Sequence, residues 1–314
     1  MPRYLVTGGA GFIGSHLVRE LVSRGEAVRV LDDFKTGKPE NLAPISEGLE
    51  LLEGGVDDPV AVDRAMQGVD FVLHQAALGS VPRSVEDPLT SHSVNLTGTL
   101  VLLESARRAK VRRFVYASSS SVYGDTPQLP KVETMPTAPL SPYAVTKLAG
   151  EFYCGVFHRI YGLETVSLRY FNVFGPRQSP DSQYAAVIPR FMSALASSES
   201  PVIYGDGRQS RDFTYIDNVV QANLLSCAAP SAAAGQAYNI ACGESFTLLD
   251  LLREMGEICG RNVQPRFEAA RLGDVRDSLA GIGKAKEFLG YQPAVSFQEG
   301  LRRTLHFAGL KRAG

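Results

Sequence analysis

Thr7-Gly8-Gly9-Ala10-Gly11-Phe12-Ile13-Gly14 follows a β-rich run, Arg3-Tyr4-Leu5-Val6, and opens a helical one, Phe12–Ser23. Gly8, Gly11 and Gly14 are spaced Gly-x-x-Gly-x-x-Gly, slightly wider than the commoner dinucleotide fingerprint. Glycines at such a junction permit a tight turn and let a pyrophosphate approach backbone N–H groups at a helix N-terminus. Glycine turns are common; the placement between strand and helix gives this one its meaning. Asp32 ends the second strand candidate. A carboxylate there can accept hydrogen bonds from both ribose hydroxyls and repels a 2′-phosphate, which favours NAD over NADP. Lys35 and Lys38, nearby, read as solvated loop charges.

Working outward, β-rich and helical runs alternate through the first half. Strands are expected over Tyr4–Thr7, Ala27–Leu31, Leu49–Glu53, Phe71–His74, Phe114–Ser118 and Thr165–Arg169. Helices are expected over Phe12–Ser23, Pro59–Met66, Thr90–Ala109 and Pro142–Tyr161. This rhythm predicts an α/β fold: a doubly wound parallel sheet covered on both faces. After Tyr170 the rhythm gives way to loops rich in Gly, Pro, Ser and Asp. Further elements follow at Ala237–Ala241, Leu248–Cys259, Gly281–Leu289 and Phe297–Phe307. The reading is a Rossmann domain from 1–170 plus about 213–240, with a smaller interleaved α/β lobe from 171–212 plus 241–314.

The 314 residues are 44% apolar and 21% charged, with 32 basic and 33 acidic side chains and a net charge of −1. No field of one sign points to nucleic acid or a membrane surface, and no apolar run reaches membrane-spanning length. Cys154, Cys227, Cys242 and Cys259 lack metal-ligand spacing and read as reduced, semi-buried thiols, so no metal is expected. The chain starts directly on a strand, without a secretory signal, and a cytoplasmic location is the expectation.

Ser141-Pro142-Tyr143-Ala144-Val145-Thr146-Lys147 carries the chemistry. Ser141 reads as a helix N-cap and Pro142 as the first helical residue. Tyr143 and Lys147 then share one helix face. A free phenol titrates at about 10, and a fixed cation beside it favours the phenolate, giving an acid/base for a hydroxyl proton. By spacing alone such a pair is more often two solvated residues. Ser118–Ser121 alone is more often a polar strand-end turn.

Gly8–Gly14, Asp32, Ala76-Ala77, Asn95, Ser118–Ser121 before Val122-Tyr123-Gly124, Tyr143 and Lys147 occur in the order of the extended short-chain dehydrogenase/reductases. Arg169-Tyr170-Phe171-Asn172-Val173-Phe174-Gly175-Pro176-Arg177 and Arg211-Asp212-Phe213-Thr214-Tyr215 resemble that family's nucleotide-sugar signatures. The resemblance covers nearly the whole chain. It implies NAD on the first domain, against Val56, Ala76 and Ala77 as well as the glycine turn, and a nucleoside-diphosphate sugar on the second. It makes Ser119 the partner of the reacting hydroxyl, Tyr143 the acid/base, and Lys147 a contact to the nicotinamide ribose as well. Asn95 reads as structural. A homodimer through Thr90–Ala109 and Pro142–Tyr161 is the family expectation. The apolar positions Val145, Ala149, Phe152 and Val156 suit it, although burial within the monomer explains them equally well.

Dehydrating members carry Asp-Glu at positions like Ser120 and Ser121, and decarboxylating members a glutamate at the place of Ser121. Serines have no proton-transfer ability near neutrality, which argues for epimerisation. On this reading Tyr143, as phenolate, takes the C4″ hydroxyl proton while C4″ hydride passes to the nicotinamide. The 4-keto sugar presents its other face, hydride returns, and Tyr143 gives the proton back. NAD is regenerated each cycle and expected to stay bound. The family often has Gly-Asp-Ile after strand three, whose carboxylate meets the adenine amino group. Here Gly54-Gly55-Val56 lacks it, and Asp57 lies two residues on.

For the substrate, the resemblance assigns Arg211 and Arg271 to the diphosphate and Asp274 to the uridine ribose. Ala186 and Val187 go to the uracil and diphosphate, with Tyr204 and Phe213 flanking the base. Ser278 stands where epimerases restricted to plain hexoses carry a tyrosine, leaving room for an acetamido group. It reads equally as an ordinary small loop residue. Ala76-Ala77-Leu78-Gly79-Ser80-Val81-Pro82-Arg83-Ser84 resembles bacterial UDP-N-acetylglucosamine 4-epimerases of polysaccharide pathways, as does Asn172 with Gln178. The expected activity is UDP-GlcNAc/UDP-GalNAc interconversion, with UDP-Glc/UDP-Gal left open as a further pair or as the pair of a rival C-4 epimerase. Two alternatives stay open: a UDP-glucuronate 4-epimerase, whose carboxylate Arg83 or Arg177 would meet, and a non-catalytic NAD-sensing protein.

Overall fold

The computed structural model describes residues 1–45, 48–179, 186–269 and 276–310. The chain runs β1 (Arg3–Thr7), α1 (Phe12–Ser23), β2 (Ala27–Asp32), β3 (Leu49–Glu53), α2 (Pro59–Met66), β4 (Phe71–His74), α3 (Val81–Glu86) and α4 (Pro88–His92). After a π-turn (Ser93–Thr97) come α5 (Gly98–Arg108), β5 (Arg113–Ser119), α6 (Pro142–Tyr161), β6 (Thr165–Tyr170), β7 (Val173–Phe174), α7 (Val187–Ala196), β8 (Val202–Tyr204) and β9 (Ser210–Arg211). Then follow β10 (Thr214–Tyr215), α8 (Ile216–Ala228), β11 (Gln236–Ile240), β12 (Phe246–Thr247), α9 (Leu248–Cys259), β13 (Arg266–Glu268), α10 (Gly283–Leu289) and α11 (Phe297–Phe307).

Seven strands form one parallel sheet in the order β11-β6-β5-β4-β1-β2-β3. Its central strands are apolar on both faces, as a sheet sandwiched by helices requires. Successive residues serve opposite layers. Tyr4 and Val6 pack with α1 and α8, whereas Leu5 between them packs with α2, α5 and α6. The edge strand β3 turns Glu50, Leu51 and Glu53 to solvent, which discourages further pairing. β11 reaches the sheet only after β7 to β10, α7 and α8, so the smaller lobe is built from chain on both sides of the last strand. Its centre is a stack of Phe213, Phe297 and Phe246, with ring centroids 5.2 and 4.3 Å apart.

The expected helices Phe12–Ser23, Pro59–Met66, Pro142–Tyr161, Leu248–Cys259 and Phe297–Phe307 form over those spans, and Gly281–Leu289 begins at Gly283. Thr90–Ala109 differs: its helix starts at Pro88 and loosens into the π-turn before continuing as α5. Asn95 sits in that turn with its amide on the backbone of Leu78 (2.7 Å from the Leu78 N–H), the kind of side-chain insertion that widens a helix. α8 was not expected, because it is buried on nearly every side and shows no amphipathic period.

Candidate active site

The glycine turn forms one wall of a cleft of about 520 Å³. Gly8 has φ +67°, and a Cβ there would come within 2.7 Å of Ala76 Cα. A Cβ on Gly14 would lie 2.1 Å from the Gly8 carbonyl. The chain therefore crosses itself at a distance only glycine allows. Helix α1 starts at Gly11 without a side-chain cap, which leaves its first N–H groups for an anion. Asp32 accepts hydrogen bonds from the Ala10 and Phe34 N–H groups (2.8 and 2.9 Å), while burial pushes its carboxyl up. Gly8, Gly11, Phe12, Ile13, Gly14, Asp32, Val56, Ala76 and Ala77 all line this cleft. A dinucleotide fits this cradle: bare backbone at the turn, a carboxylate at the end of β2, and apolar walls from Val56 and Ala76. Thr36 and Gly37 also line it and were not expected. Gly37 carried a readable signal, since a Cβ there would crowd Asp32 Oδ1 at 2.8 Å. Lys35 lines the cleft too, paired to Asp33 at 2.8 Å. Asp57 is absent from the lining; its carboxylate accepts from Ser93 Oγ at 2.9 Å.

Ser119, Ser120, Ser121, Tyr143 and Lys147 line the same cleft. Ser141 Oγ accepts from the Ala144 N–H (3.2 Å), starting α6 beside the end of β5. Ser119 Oγ accepts from the Ser121 N–H (3.2 Å) and turns the chain into a short 3-10 helix. Lys147 is buried, donates to Ala117 O at 2.7 Å, and lies 5.1 Å from the Tyr116 ring centroid and 5.9 Å from that of Tyr143. Burial brings its ammonium down to about 8 against the pull of Cys154 and Glu151. Burial also raises the Tyr143 phenol, with the Ser119 hydrogen bond acting in the opposite direction. The expectation that Lys147 lowers the phenol is corrected here: desolvation dominates both groups, and the ammonium is spent on a carbonyl.

Asn172, Val173, Gln178 and Ala186 continue the cleft into a second cavity of about 270 Å³ in the smaller lobe, lined also by Val187, Arg190, Tyr204, Gln209 and Arg211. Arg211 donates to the Ser210 and Arg276 carbonyls. Arg190 covers the Tyr204 ring at 5.1 Å, a contact the motifs did not reveal. Phe213 touches this cavity but is committed to the aromatic stack. Asn172 Nδ2 donates to Ser278 Oγ at 3.3 Å. Gln178 Nε2 donates to Val173 O, while Gln178 Oε1 and Ser121 Oγ are buried without a hydrogen-bond partner among the described residues. Gly79 lines the cleft, whereas Ser80 does not: its oxygen caps α3 through the Arg83 N–H (3.2 Å). Arg271 and Asp274 lie outside the described residues. Arg83 and Arg177 line neither cavity; Arg177 reaches His16 Nε2 (3.4 Å) and the Phe307 ring. Among the described residues no cluster of His, Cys, Asp and Glu could hold a metal, and no helix is long and apolar enough to cross a membrane.

The chain is 39% identical over 314 residues to a UDP-glucose 4-epimerase of Mycolicibacterium smegmatis, covering 97% of this chain and 98% of that one. A UDP-N-acetylglucosamine 4-epimerase from Methanobrevibacter ruminantium M1, solved with UDP-N-acetylmuramic acid, superposes with a TM-score of 0.93 at 39% identity over 98% of each chain. A UDP-glucuronic acid 4-epimerase from Bacillus cereus, solved with UDP-glucuronic acid and NAD, gives 0.90 at 32% identity, covering 98% of this chain and 99% of that one. A model of the NAD dependent epimerase/dehydratase family matches residues 4–241. The family match spans most of a chain whose glycine turn, Asp32 and Ser-Tyr-Lys set line one cleft, and this chain belongs to the NAD dependent epimerase/dehydratase family.

Proposed function

We propose that this chain is an NAD-using C-4 epimerase of UDP-hexoses whose preferred pair is UDP-GlcNAc and UDP-GalNAc. One observation carries the choice of reaction. Among the described residues lining the cleft the only carboxylates are Asp32 and Asp33, and Ser120 and Ser121 stand at the strand end beside Tyr143. Without an acid there, a leaving hydroxyl has no proton donor and dehydration is disfavoured. NAD, when bound, takes up and returns a hydride. Gly8, Gly11, Phe12, Ile13, Gly14, Asp32, Val56, Ala76 and Ala77 hold it; Ser119 orients the C4″ hydroxyl; Tyr143 removes and restores the proton; Lys147 sets the local charge and meets the nicotinamide ribose.

The N-acetyl preference rests on Asn172, Gln178 and Ser278. Ser278 leaves room, and the unpaired Gln178 Oε1 is an acceptor suited to an amide N–H. Gly79, Ser120 and Ser121 face the sugar; Ala186, Val187, Tyr204, Arg211, Arg271 and Asp274 hold the uridine diphosphate. Residues 1–170 with 213–240 serve the cofactor, and 171–212 with 241–314 the nucleotide sugar. The positions of Arg83 and Arg177 give no support to a glucuronate site.

A second copy packs on α6 in this reading. Val145 and Phe152 are 50% and 64% exposed, and Leu89 on α4 is 83% exposed. Of the expected stripe Ala149 and Val156 are half-buried in the monomer, whereas Val145 and Phe152 are left for a partner in this reading. A cytoplasmic homodimer is the form we propose.

The test supplies UDP-GlcNAc, UDP-Glc and UDP-GlcA separately, without added cofactor, and resolves products by chromatography. UDP-GlcNAc is expected to be inverted fastest, and inversion of UDP-GlcA alone overturns the substrate assignment. Tyr143→Phe is expected to lose turnover while still binding NAD.

A further inference from the structure

Lys147 has no carboxylate within ion-pair distance among the described residues, yet it is buried. One helical turn further on, Glu151 is buried as well. These two side chains hold consecutive residues of β5: Lys147 Nζ donates to Ala117 O (2.7 Å), and Ser118 Oγ donates to Glu151 Oε1. The next residue is Ser119. Glu151 also receives Arg169 from β6 through two bonds, Nε at 2.9 Å and Nη2 at 2.7 Å. Arg169 Nη1 donates to the Tyr123 hydroxyl oxygen, in the turn after Ser121 (2.9 Å), and that hydroxyl donates to Asn239 Oδ1 of β11 (2.7 Å).

We propose that Glu151 is a positioning residue of the epimerase site: with Lys147 it clamps the end of β5 so that Ser119–Ser121 face the cleft. The same clamp sets the Glu151 carboxylate one helical turn from the Lys147 ammonium, where it opposes the effect of burial. The inference rests on the epimerase reading for its kinetics but not for its titration. The groups facing Lys147 are Tyr143, Glu151 and Cys154 on its own helix, His74 on β4 and Tyr116 on β5. Those facing Glu151 are Arg169 on β6, Lys284 on α10 and Cys154. Of this set Glu151 is the one carboxylate, and Arg169 holds it in an ion pair, so Glu151→Gln isolates what that carboxylate does to Lys147.

The experiment labels lysine side chains with ¹³C, assigns the Lys147 signal with Lys147→Arg, and follows it against pH in the parent, Glu151→Gln and Ser118→Ala. Burial brings Lys147 down to about 8, and the parent midpoint is expected there. Glu151→Gln is expected to lower the midpoint about ten-fold in proton concentration or more, whereas Ser118→Ala, which removes one tether and keeps the charge, leaves it in place. In turnover, Glu151→Gln lowers kcat about ten-fold with KM within two-fold, and the alkaline limb of kcat moves down with the lysine. If Glu151→Gln leaves Arg169 buried and unpaired and the chain does not fold, Arg169→Gln, which frees the Glu151 charge from its counter-ion, is titrated instead and is expected to raise the Lys147 midpoint. An unmoved Lys147 midpoint in the folded variant overturns the proposal, and the titration decides this even if every UDP-sugar proves inert.

Discussion

His74 shows how a single side chain can fix the floor of the cleft. Thr99 Oγ1 donates to Asn95 O (2.6 Å), so it must accept from His74 Nε2 (2.9 Å). That leaves Nδ1 as the acceptor of Thr7 Oγ1 (2.7 Å), and Thr7 Oγ1 in turn receives the Ala76 N–H (3.3 Å). The neutral ε-tautomer therefore ties β1 to the segment that lines the cofactor cleft. Burial and the Lys147 charge hold His74 at about 3, against 6.5 in an unfolded chain. Between those values the unfolded chain binds more protons, so stability is lost as pH falls below about 6.5. His16, held at about 4 mainly by burial, acts in the same sense. Asp212, pushed up to about 7 by burial, acts in the opposite one. His74→Gln removes the titration and keeps a donor toward Thr99. From pH 7 to pH 5 it should lose roughly 2 kcal/mol less stability than the parent, read as urea midpoints.

At the scale of elements, the ends of α6 carry the site. Ser141→Ala deletes the cap on the Ala144 N–H and is expected to cost about 1 kcal/mol, measured by urea unfolding. Turnover should fall more than NAD affinity, because the freed turn holds Tyr143 rather than the glycine loop. These ends were legible in sequence, since capping is local chemistry and Ser141-Pro142 states it directly. The π-turn at Ser93–Thr97 was not, because its cause is the Leu78 backbone, a tertiary partner that no spacing announces. The glycine turn, Asp32 and the Ser-Tyr-Lys set could be read because each couples a local geometry to a residue type. Ser80 misled for the same reason: a serine before a proline-bearing turn is a cap as readily as a ligand contact. The charge states of Tyr143 and Lys147 depend on desolvation, which a motif does not carry.

On the scale of the whole molecule, the exposed row Val145 and Phe152 on α6 makes association testable. Phe152→Glu places a charge in that row and should halve the sedimenting mass while leaving the monomer folded by circular dichroism. The strand order has a separate consequence during synthesis. β6 is paired on one side by β5 and on the other by β11, and the intervening chain builds much of the smaller lobe. A nascent chain that has released β1 to β6 from the ribosome thus bears a naked parallel edge until some seventy further residues emerge. The newborn protein is adhesive at the very border where its two halves will later be sewn together.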